Sequence, residues 1–449
     1  MQGGQVKTVV SVAILLVGLV LTVITVSSAS STDSSSGIII DFGDYEVSYS
    51  AQDESLSPID ALENACGALG YELQTSGSDV LSIDGRSNTS EKTWSLYVVE
   101  SGSTEWTSLS SATSVKLSDY TAVCYGYCGA DDEPAPAVDE TGYSIYGHDA
   151  PSRIVSLAPS CTETICAVGG LDSIVATDQY SDYPSEVPER QSSGEIAIVG
   201  GFTNPSYEKV LQQSPDLVVC ISTQNAHLQM AEKLRAVGIR VLVLDGGESI
   251  DAVLDNIYMT GVVLENAEGA AEVADTISGQ ITEVSNIVDT YDFKWEKRVM
   301  VALSAVQSPW VSGSGTYVSD VMSLICVSNI YDSEAGWVQV NAETIIKYNP
   351  EVIIVVSSDY EATQEDYDSM LASMSEQWKG TDAYKNGNIY LFTGEAADCA
   401  SRAGPRVAEL TELLARAIHG EAFSDGVVLP KYVGDDYTDY LTIARSVSA

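Results

Sequence analysis

Two stretches of the sequence, 135 residues apart, repeat one pattern: an aromatic, then a glutamate, then a proline that is followed by an apolar run. The copies read Phe202-x5-Glu208-x6-Pro215-Asp-Leu-Val-Val and Trp337-x5-Glu343-x6-Pro350-Glu-Val-Ile-Ile. Each copy predicts a short helix with the glutamate in its first turn, and a proline that ends the helix before a buried strand. Two such units predict two similar lobes, with one cleft between them and one outward carboxylate on each lobe.

The rest of the second half predicts an α/β fold. From residue 153 onwards, strand-like apolar runs alternate with helical patterns, which is typical of this class. Strands are predicted at 154–157, 174–176, 217–221, 241–244, 299–303, 352–356 and 389–391. A helical stretch over 249–288, with a break near Leu264, separates the two sets of strands, and a last helix is predicted over 405–418.

These elements define the predicted domains of this half. Lobe 1 covers residues 151–248, a connecting helix 249–290 and lobe 2 residues 297–420. A Tyr-rich polar tail over 421–449 is expected to pack along the body, and its pattern predicts no function.

Residues 37–128 predict a separate, small β-rich domain. Its predicted elements are strands at 38–42, 93–99 and 122–125 and one amphipathic helix at 58–69. The segment 129–150 is acidic, carries prolines and has no apolar period. This composition predicts a stiff, solvated linker between the first domain and the lobes.

The length and charge of the chain limit what it can be. Its 449 residues exceed what one hydrophobic core usually organises, so two or three domains are expected. The sequence has 21 basic and 64 acidic residues, a formal charge of −43. Such a surface repels nucleic acid and anionic lipid, so a nucleic-acid partner is not expected.

The N-terminus carries a membrane-targeting pattern within residues 1–36. The run from Val9 to Val26 is 18 residues long without a charge, follows Lys7 and precedes a Ser-rich stretch. The pattern leaves open whether this segment is a cleaved signal peptide or a tether to the membrane. No cysteine follows it closely, which argues against a lipid anchor, and in either case the remaining chain is expected to be extracytoplasmic.

Eight cysteines are present, an even number that permits disulfides outside the cell. Cys124 and Cys128 form the tightest pair and could bridge each other, or one of them could pair with Cys66. A structural zinc site is the other interpretation, but it needs four well-spaced ligands, and the three histidines are scattered. We expect no intrinsic metal and no intrinsic cofactor.

Five segments in order carry a family resemblance. They are Arg153-Ile-Val-Ser-Leu-Ala-Pro-Ser-Cys-Thr-Glu163, Tyr180-Ser-Asp-Tyr-Pro184, Val199-Gly-Gly-Phe-Thr-Asn-Pro205, Pro309-Trp-Val-Ser-Gly313 and Ser401-Arg-Ala-Gly-Pro-Arg406. With them, residues 151–420 resemble the class III periplasmic binding proteins, which serve ABC importers of cobalamin and iron chelates. The resemblance implies two Rossmann-like α/β lobes joined by a single long backbone helix. The second and third segments resemble the cobalamin-binding branch most closely.

The resemblance also implies a ligand site. Aromatic residues that line the corrinoid cleft are matched by Tyr180, Phe202, Trp310 and Trp337, and polar residues at its rim by Asp398 and Arg402. A corrin ring is a broad apolar plate fringed with amides, so large rigid side chains and a few polar groups suit it. Each aromatic could equally be an ordinary core residue. Cys161 departs from the family pattern, which often has a polar Asn there.

Glu208 and Glu343 match the family's docking glutamates, which meet arginines on the two permease subunits. A carboxylate in the first turn of a helix also has a structural explanation, because it interacts favourably with the helix dipole. The duplication favours docking, since a pair of charges on equivalent lobes gives register and association rate against a dimer. The implied partners are therefore an ABC permease dimer and its ATPase.

The first domain carries a second resemblance. Trp94-Ser-Leu-Tyr-Val followed by Leu117-Ser-Asp-Tyr is similar to the small β domain at the C-terminal end of transcobalamin-type carriers. This likeness favours a corrinoid over a siderophore as the ligand. The domain could equally serve adhesion or act as a spacer.

Three alternatives to corrinoid capture follow from the same sequence. An enzyme is not expected, because the chain has no Gly-x-Ser-x-Gly elbow, no P-loop and no His-Glu-x-x-His, and no catalytic residue is predicted. An iron-chelate receptor for a siderophore or haem would use the same fold with a different ligand. A structural surface protein would use the lobes for contact alone.

Overall fold

A computed structural model describes residues 36–444 except residues 44, 113, 131 and 292–296. The predicted membrane-targeting run from Val9 to Val26 lies outside the described residues. Within the described part, no helix is both long enough and apolar enough to cross a membrane. The described chain forms two compact units, one of residues 36–150 with 261–271 and the other of residues 151–260 with 272–444.

In the first unit, the described residues of 36–150 form a five-stranded sheet in the order β2-β1-β8-β6-β7, a three-stranded sheet in the order β3-β4-β5 and one α-helix. The elements are β1 (Gly37–Asp41), β2 (Val47–Ala51), α1 (Pro58–Leu69), β3 (Leu73–Ser76), β4 (Asp79–Ile83), β5 (Arg86–Ser87), β6 (Thr93–Val99), β7 (Trp106–Leu109) and β8 (Ala122–Cys128). The helix is bounded as its residues predict. The Ser57 hydroxyl accepts from the backbone N–H of Asp60, and Gly70 ends the helix in the left-handed conformation.

The core of this unit lies between the larger sheet and α1. Alternate residues of β1, Ile38 and Ile40, pack with Leu62 and Cys66 of the helix and with Trp94 of β6. The predicted β-rich domain with a single helix is present here, and the helix bounds agree with the predicted 58–69.

The segment after β8 differs from the expected solvated linker. Asp41 accepts from the backbone N–H of Ala135 at 2.6 Å, the Trp106 indole donates to the Ala135 carbonyl at 3.3 Å, and Tyr146 stacks on Tyr49 at 5.1 Å between ring centroids. Within this segment, Ala137 is among the buried side chains. The expectation of solvation was wrong for this stretch, because its apolar residues are spaced irregularly and cover the second face of the sheet without any helical or strand period.

Lobe 1 is built on a parallel five-stranded sheet in the order β11-β10-β9-β14-β15. Its elements are β9 (Ile154–Ser156), α2 (Pro159–Ala167), β10 (Ile174–Thr177), α3 (Glu186–Ser193), β11 (Ala197–Ile198), β12 (Gly200–Gly201), β13 (Asn204–Pro205), α4 (Tyr207–Gln212), β14 (Leu217–Ile221), α5 (Asn225–Arg235) and β15 (Arg240–Leu244). The central strands are fully buried, as expected for a parallel sheet covered by helices on both faces.

Two helices follow lobe 1, α6 (Ile250–Val263) and α7 (Ala267–Asp289). The predicted break near Leu264 is therefore confirmed, and the connection consists of two helices rather than one continuous helix.

Lobe 2 contains a seven-stranded sheet in the order β19-β17-β16-β20-β21-β22, with β18 also paired to β16. Its elements are β16 (Lys297–Ala302), β17 (Trp310–Ser312), α8 (Tyr317–Leu324), β18 (Val327–Asn329), β19 (Trp337–Gln339), α9 (Ala342–Tyr348), β20 (Val352–Val356), α10 (Gln364–Ser373), α11 (Glu376–Lys379), α12 (Asp382–Lys385), β21 (Ile389–Phe392), α13 (Gly394–Ser401), α14 (Val407–His419) and β22 (Tyr432–Val433). Strands β16, β18, β20, β21 and β22 are parallel, and β17 and β19 are antiparallel additions.

The duplication predicted from the sequence extends further than the repeated pattern. In lobe 1 the Arg153 guanidinium donates to the carbonyls of Gln213 and Ser214, at the end of α4. In lobe 2 Arg298 donates in the same way to the carbonyl of Asn349, at the end of α9. Ser214 and Asn349 both have a φ of 48°, which turns the chain sharply before each proline. Each lobe thus fixes its short helix by an arginine from the start of its first strand.

The described part of the tail, residues 421–444, packs against lobe 2, and residues 445–449 lie outside the described residues. It contributes β22, and it returns to the buried carboxylate of Glu412 on α14. Glu412 accepts from Arg416 at 2.6 Å and from the backbone N–H groups of residues 442, 443 and 444 at 2.8, 3.0 and 2.8 Å. Arg416 also pairs with Asp425 at 2.6 Å, so tail and helix share one buried ionic network.

Replacing Glu412 by Gln should destabilise lobe 2 strongly. The side-chain NH2 of the glutamine would face backbone N–H groups, which are also donors. Arg416 would lose one of its two carboxylate partners. Loss of one partner of a buried ion pair typically costs about 3–5 kcal/mol. Glu421→Gln is the control, since its bridge to Lys297 is partly exposed and such pairs contribute about 1 kcal/mol or less. Urea unfolding of both variants measures the difference, and equal midpoints would contradict the assigned role of Glu412.

Candidate functional site: the cleft between the two lobes

Several candidate site residues follow the carboxyl ends of strands in the two lobes. In open α/β sheets, ligands bind at this edge. In lobe 1, Glu163 lies on α2 directly after β9, and Tyr180 follows β10. In lobe 2, Asp398 and Arg402 lie on and directly after α13, which follows β21.

A buried carboxylate of lobe 1 joins the two lobes at this edge. Glu163 is 3% exposed and accepts three hydrogen bonds from lobe 2. Arg406 donates through Nε at 2.9 Å and through Nη2 at 2.7 Å, and Arg402 donates through Nη1 at 3.0 Å. Two guanidinium groups of lobe 2 thus bind one carboxylate of lobe 1.

Arg402, predicted at the rim of the ligand site, is largely occupied by protein groups. Its Nη1 also contacts Asp182 of lobe 1 at 2.7 Å, and its Nη2 pairs with Asp398 at 3.0 Å and donates to the carbonyl of Tyr180 at 3.2 Å. Only 10% of the Arg402 side chain is exposed. Arg402 and Asp398 are therefore members of an interlobe ion network, whose lobe 1 residues no sequence pattern indicated.

The interlobe network has more acidic than basic members. Arg406 also pairs with Glu395 at 2.8 Å and lies 4.1 Å over the ring of Tyr183. Four carboxylates, those of residues 163, 182, 395 and 398, thus meet two guanidinium groups. Burial raises the pKa of Asp398 to about 6 against the opposing effect of Arg402, and burial also raises the pKa of Glu395. The network therefore holds two more carboxyl groups than guanidinium groups.

The two predicted aromatics of lobe 1 lie on adjoining segments. Tyr180 is 54% exposed, and a Cβ placed on Gly201 would be 3.6 Å from its ring. Phe202, the next residue, is half-buried. A Cβ on Gly201 would lie only 2.6 Å from the side-chain oxygen of Asn204, so the missing side chain makes room for the tight β12–β13 turn that carries Phe202.

Phe202 is positioned by a histidine that sequence analysis had considered only as a metal ligand. His227 Nε2 lies 2.8 Å from the Phe202 carbonyl, its Nδ1 faces the Ile221 N–H at 3.4 Å, and its ring meets the Phe202 ring edge-on at 5.3 Å. Since Nδ1 accepts and Nε2 donates, the ring is the neutral tautomer, and burial lowers its pKa. No local sequence signal distinguishes this role from that of an ordinary core histidine.

The predicted aromatics of lobe 2 lie on the antiparallel ladder of β17 and β19. Trp310 is opposite Gln339, and Trp337 is opposite Ser312. Because side chains alternate along strands, both tryptophans lie on one face of the ladder, while Val311 on the other face enters the core. Trp310 is 49% exposed and Trp337 is partly exposed.

Glu208 and Glu343 occupy equivalent exposed positions. Each is the second residue of its helix, α4 or α9. The preceding cap residues act alike, since the Ser206 side chain accepts from the Lys209 N–H at 3.4 Å and the Asn341 side chain from the Thr344 N–H at 3.0 Å. The two arginines that fix the other ends of these helices had not been predicted, although each stands directly before an apolar run, at Ile154 or Val299.

The cysteines do not form a site. All eight lie in the described part of the chain and are free thiols, so the suggested bridges from Cys124, Cys128 and Cys66 are not present. Cys161 is buried, and burial raises its pKa well above the usual value, so that it stays a neutral thiol. Among the described residues, no group of His, Cys, Asp or Glu could hold a metal ion.

A cavity of about 390 Å³ lies elsewhere in lobe 2, where the starts of β16, β20 and β21 meet the tail. None of the predicted ligand residues lines it. Its two basic residues, Lys297 and Arg416, are paired with Glu421, Glu412 and Asp425.

A family comparison identifies this architecture. The model of the family described as "Periplasmic binding protein" matches residues 154–396, which is 243 of 449 residues. The chain belongs to the periplasmic binding protein family. Lobe 1, the helices between the lobes and lobe 2 as far as the start of α13 lie within the matched region, whereas Arg402, Arg406, α14 and the tail follow it.

Curated relatives support this assignment. The chain is 26% identical over 293 residues to an uncharacterised ABC transporter substrate-binding lipoprotein of Bacillus subtilis, covering 65% of this chain and 88% of the relative. It is 29% identical over 207 residues to a vitamin B12-binding protein of Yersinia pestis, covering 46% of this chain and 70% of the relative.

Solved structures share the fold. A possible iron-binding periplasmic solute-binding protein from Staphylococcus epidermidis matches with a TM-score of 0.51 and 25% identity, over 60% of this chain and all of that one. A periplasmic haem-binding protein from Pseudomonas aeruginosa matches with a TM-score of 0.53 and 18% identity, over 61% and 94%, which shows the fold alone.

Family membership confirms three predictions. The fold is that of a class III periplasmic binding protein, preceded by a small β-rich region. The chain is a substrate-binding protein of the ABC-importer type. It is not an enzyme, since its family and relatives bind substrates.

The raised pKa of Asp398 predicts a specific pH dependence. An unfolded aspartate has a pKa of about 3.9, so between about pH 4 and 6 the folded protein binds a proton there that the unfolded chain does not. Stability from this group is present below pH 4 and is lost as the pH rises through about 6. Asp398→Asn should therefore be more stable than the parent at pH 7 and gain little at pH 4.5, as measured by thermal unfolding. An identical difference at both pH values would contradict the raised pKa.

Proposed function

We propose that this protein captures a corrinoid in the cleft between its lobes and delivers it to an ABC permease dimer driven by an ATPase. The proposed ligand contacts are Tyr180, Phe202, Trp310 and Trp337, with Asp398 and Arg402 at the rim. The proposed docking residues are Glu208 and Glu343. The protein is expected to work outside the cytoplasm, where its N-terminal segment would direct or tether it.

The charge of the interlobe network is the observation that carries the choice of ligand. Both arginines are bonded to carboxylates, and the network has two more carboxylates than guanidinium groups. A ligand with carboxylates of its own would have to displace these bonds and meet like charge, which costs free energy. A neutral or cationic chelate such as cobalamin avoids both costs. Haem and anionic ferric chelates do not.

The exposed aromatics favour a broad, flat ligand. Tyr180 and Trp310 leave about half of their surface in water, a costly arrangement for large side chains unless a ligand covers them. One aromatic pair belongs to each lobe, so a plate-shaped ligand could be contacted on two sides. The 29% identity to a vitamin B12-binding protein of Yersinia pestis agrees with this proposal.

An iron chelate is the second candidate ligand. The likeness to the possible iron-binding protein of Staphylococcus epidermidis favours it. In that case Arg402 would exchange one of its protein carboxylates for an acidic group of the chelate.

Calorimetric titration of residues 37–449 with cobalamin, cobinamide and a ferric siderophore tests the ligand. With an anionic siderophore such as a ferric tris-catecholate, corrinoid binding without siderophore binding is the expected result, because the corrinoids lack its repulsive negative charge. Siderophore binding alone would overturn the corrinoid proposal and keep the fold. No binding of any of the three ligands would favour a structural surface role. The same titration of residues 150–449 tests the first domain. A higher affinity of residues 37–449 than of residues 150–449 would assign ligand contact to that domain.

Removing one cleft aromatic from each lobe should weaken ligand binding. Phe202→Ala with Trp337→Ala is expected to raise the dissociation constant at least tenfold, about 1.4 kcal/mol, through lost aromatic contact. Tyr291→Ala is the control, since this exposed tyrosine follows α7 and is not a proposed contact. Calorimetry of the three proteins with the bound chelate measures the effect, and unchanged affinity in the double variant would contradict the assigned contacts.

Removing the two docking carboxylates should separate capture from delivery. Glu208→Ala with Glu343→Ala is expected to leave ligand affinity intact and abolish uptake, because the charges that meet the permease are gone. The matched control is Glu186→Ala with Glu365→Ala, which removes exposed first-turn glutamates from α3 and α10, one in each lobe. Uptake of labelled ligand into vesicles that contain the cognate importer provides the measurement. Loss of ligand affinity in the docking pair would contradict this division of roles.

A further inference from the structure

An exposed aliphatic side chain follows each proposed docking glutamate by three residues. Leu211 follows Glu208 on α4 and is 36% exposed, and Ile346 follows Glu343 on α9 and is 37% exposed. On a helix, residues three apart are neighbours on one face. Each lobe thus presents a carboxylate and an aliphatic group side by side.

Folding of the two helices does not account for these side chains. The preceding residues, Val210 and Ile345, are fully buried and supply the core contacts of α4 and α9. The aliphatic groups at the next position stay more than a third exposed in both lobes, although Ile346 Cδ1 also lies close to Gly380. An isolated exposed leucine is ordinary, but equal exposure at equivalent positions of two lobes needs a shared cause.

The two lobes also present these helices in the same way. Each helix begins at a capping side chain, and each ends at carbonyls held by an arginine from the start of the first strand of its lobe, Arg153 or Arg298. The carboxylate and the aliphatic group are therefore fixed in the same orientation on each lobe.

We propose that Glu208 with Leu211, and Glu343 with Ile346, form two equivalent docking patches for the two subunits of an ABC permease dimer. This inference rests on the proposed function and adds an apolar side chain, Leu211 or Ile346, to each docking glutamate. Two like patches on two like lobes fit a partner with twofold symmetry. The carboxylates complement basic residues on the partner, and the aliphatic groups exclude water beside each ion pair and slow dissociation.

Rate measurements on the permease–ATPase complex in lipid nanodiscs test the proposal. Leu211→Gln with Ile346→Gln should weaken binding of the loaded protein at least about tenfold through faster dissociation, with association and its salt dependence unchanged. Glu208→Gln with Glu343→Gln should instead slow association and flatten its salt dependence. Each single aliphatic variant should account for a similar share of the loss.

The matched control replaces aliphatic side chains of similar or greater exposure elsewhere on each lobe. Val237→Gln with Leu324→Gln serves, since these residues are 59% and 39% exposed. All variants should keep the ligand affinity and thermal stability of the parent, which shows that they are folded.

The outcomes distinguish this inference from the proposed function. If the glutamate pair weakens permease binding and the aliphatic pair does not, the role of Leu211 and Ile346 is overturned and docking stands. If neither pair has an effect, both fail. A loss carried by one lobe alone, or an equal loss in the control pair, would also overturn the paired patches.

Discussion

The carboxylate of Glu163 is the contact on which the arrangement of the two lobes depends. It is buried in lobe 1, yet both groups that neutralise it, Arg402 and Arg406, come from lobe 2. A buried ion pair adds little net stability over a well-packed apolar contact, but losing one partner costs about 3–5 kcal/mol. Separation of the lobes would take both arginines away from Glu163, while Arg402 would keep Asp398 and Arg406 would keep Glu395 of their own lobe. The network therefore favours one relative position of the lobes and limits how far the cleft can open.

The same helix-to-strand connection occurs in both lobes of the second unit. Each lobe uses an arginine at the start of its first strand to hold the end of a short helix, and a left-handed residue before proline to enter the next strand. These are local backbone solutions that each lobe can form on its own. The interlobe network has no such repeat, because Glu163 in lobe 1 and the arginines in lobe 2 play different parts. The two lobes are thus alike in how they fold and unlike in how they meet.

The elements with a strong local signal were predictable from the sequence. The strands Leu217–Ile221 and Val352–Val356 match their predicted bounds, because a buried parallel strand after proline is a continuous apolar run. The break between α6 and α7 was also predicted, near Leu264. The contacts that no sequence pattern indicated join residues that are far apart along the chain. Arg402 finds its partners 220 and 239 residues away, and nothing near any of them in the sequence indicates the pairing.

The buried network around Glu412 bears on where this protein can be divided. The region recognised by the family model ends at residue 396, before Arg402, Arg406, α14 and β22. A fragment cut at that limit would lose both partners of Glu163 and the last strand of the lobe 2 sheet. The boundary that similarity detects is therefore shorter than the cooperative folding unit. An expression fragment of the lobes needs to reach at least residue 444, whose backbone N–H closes the last hydrogen bond to Glu412.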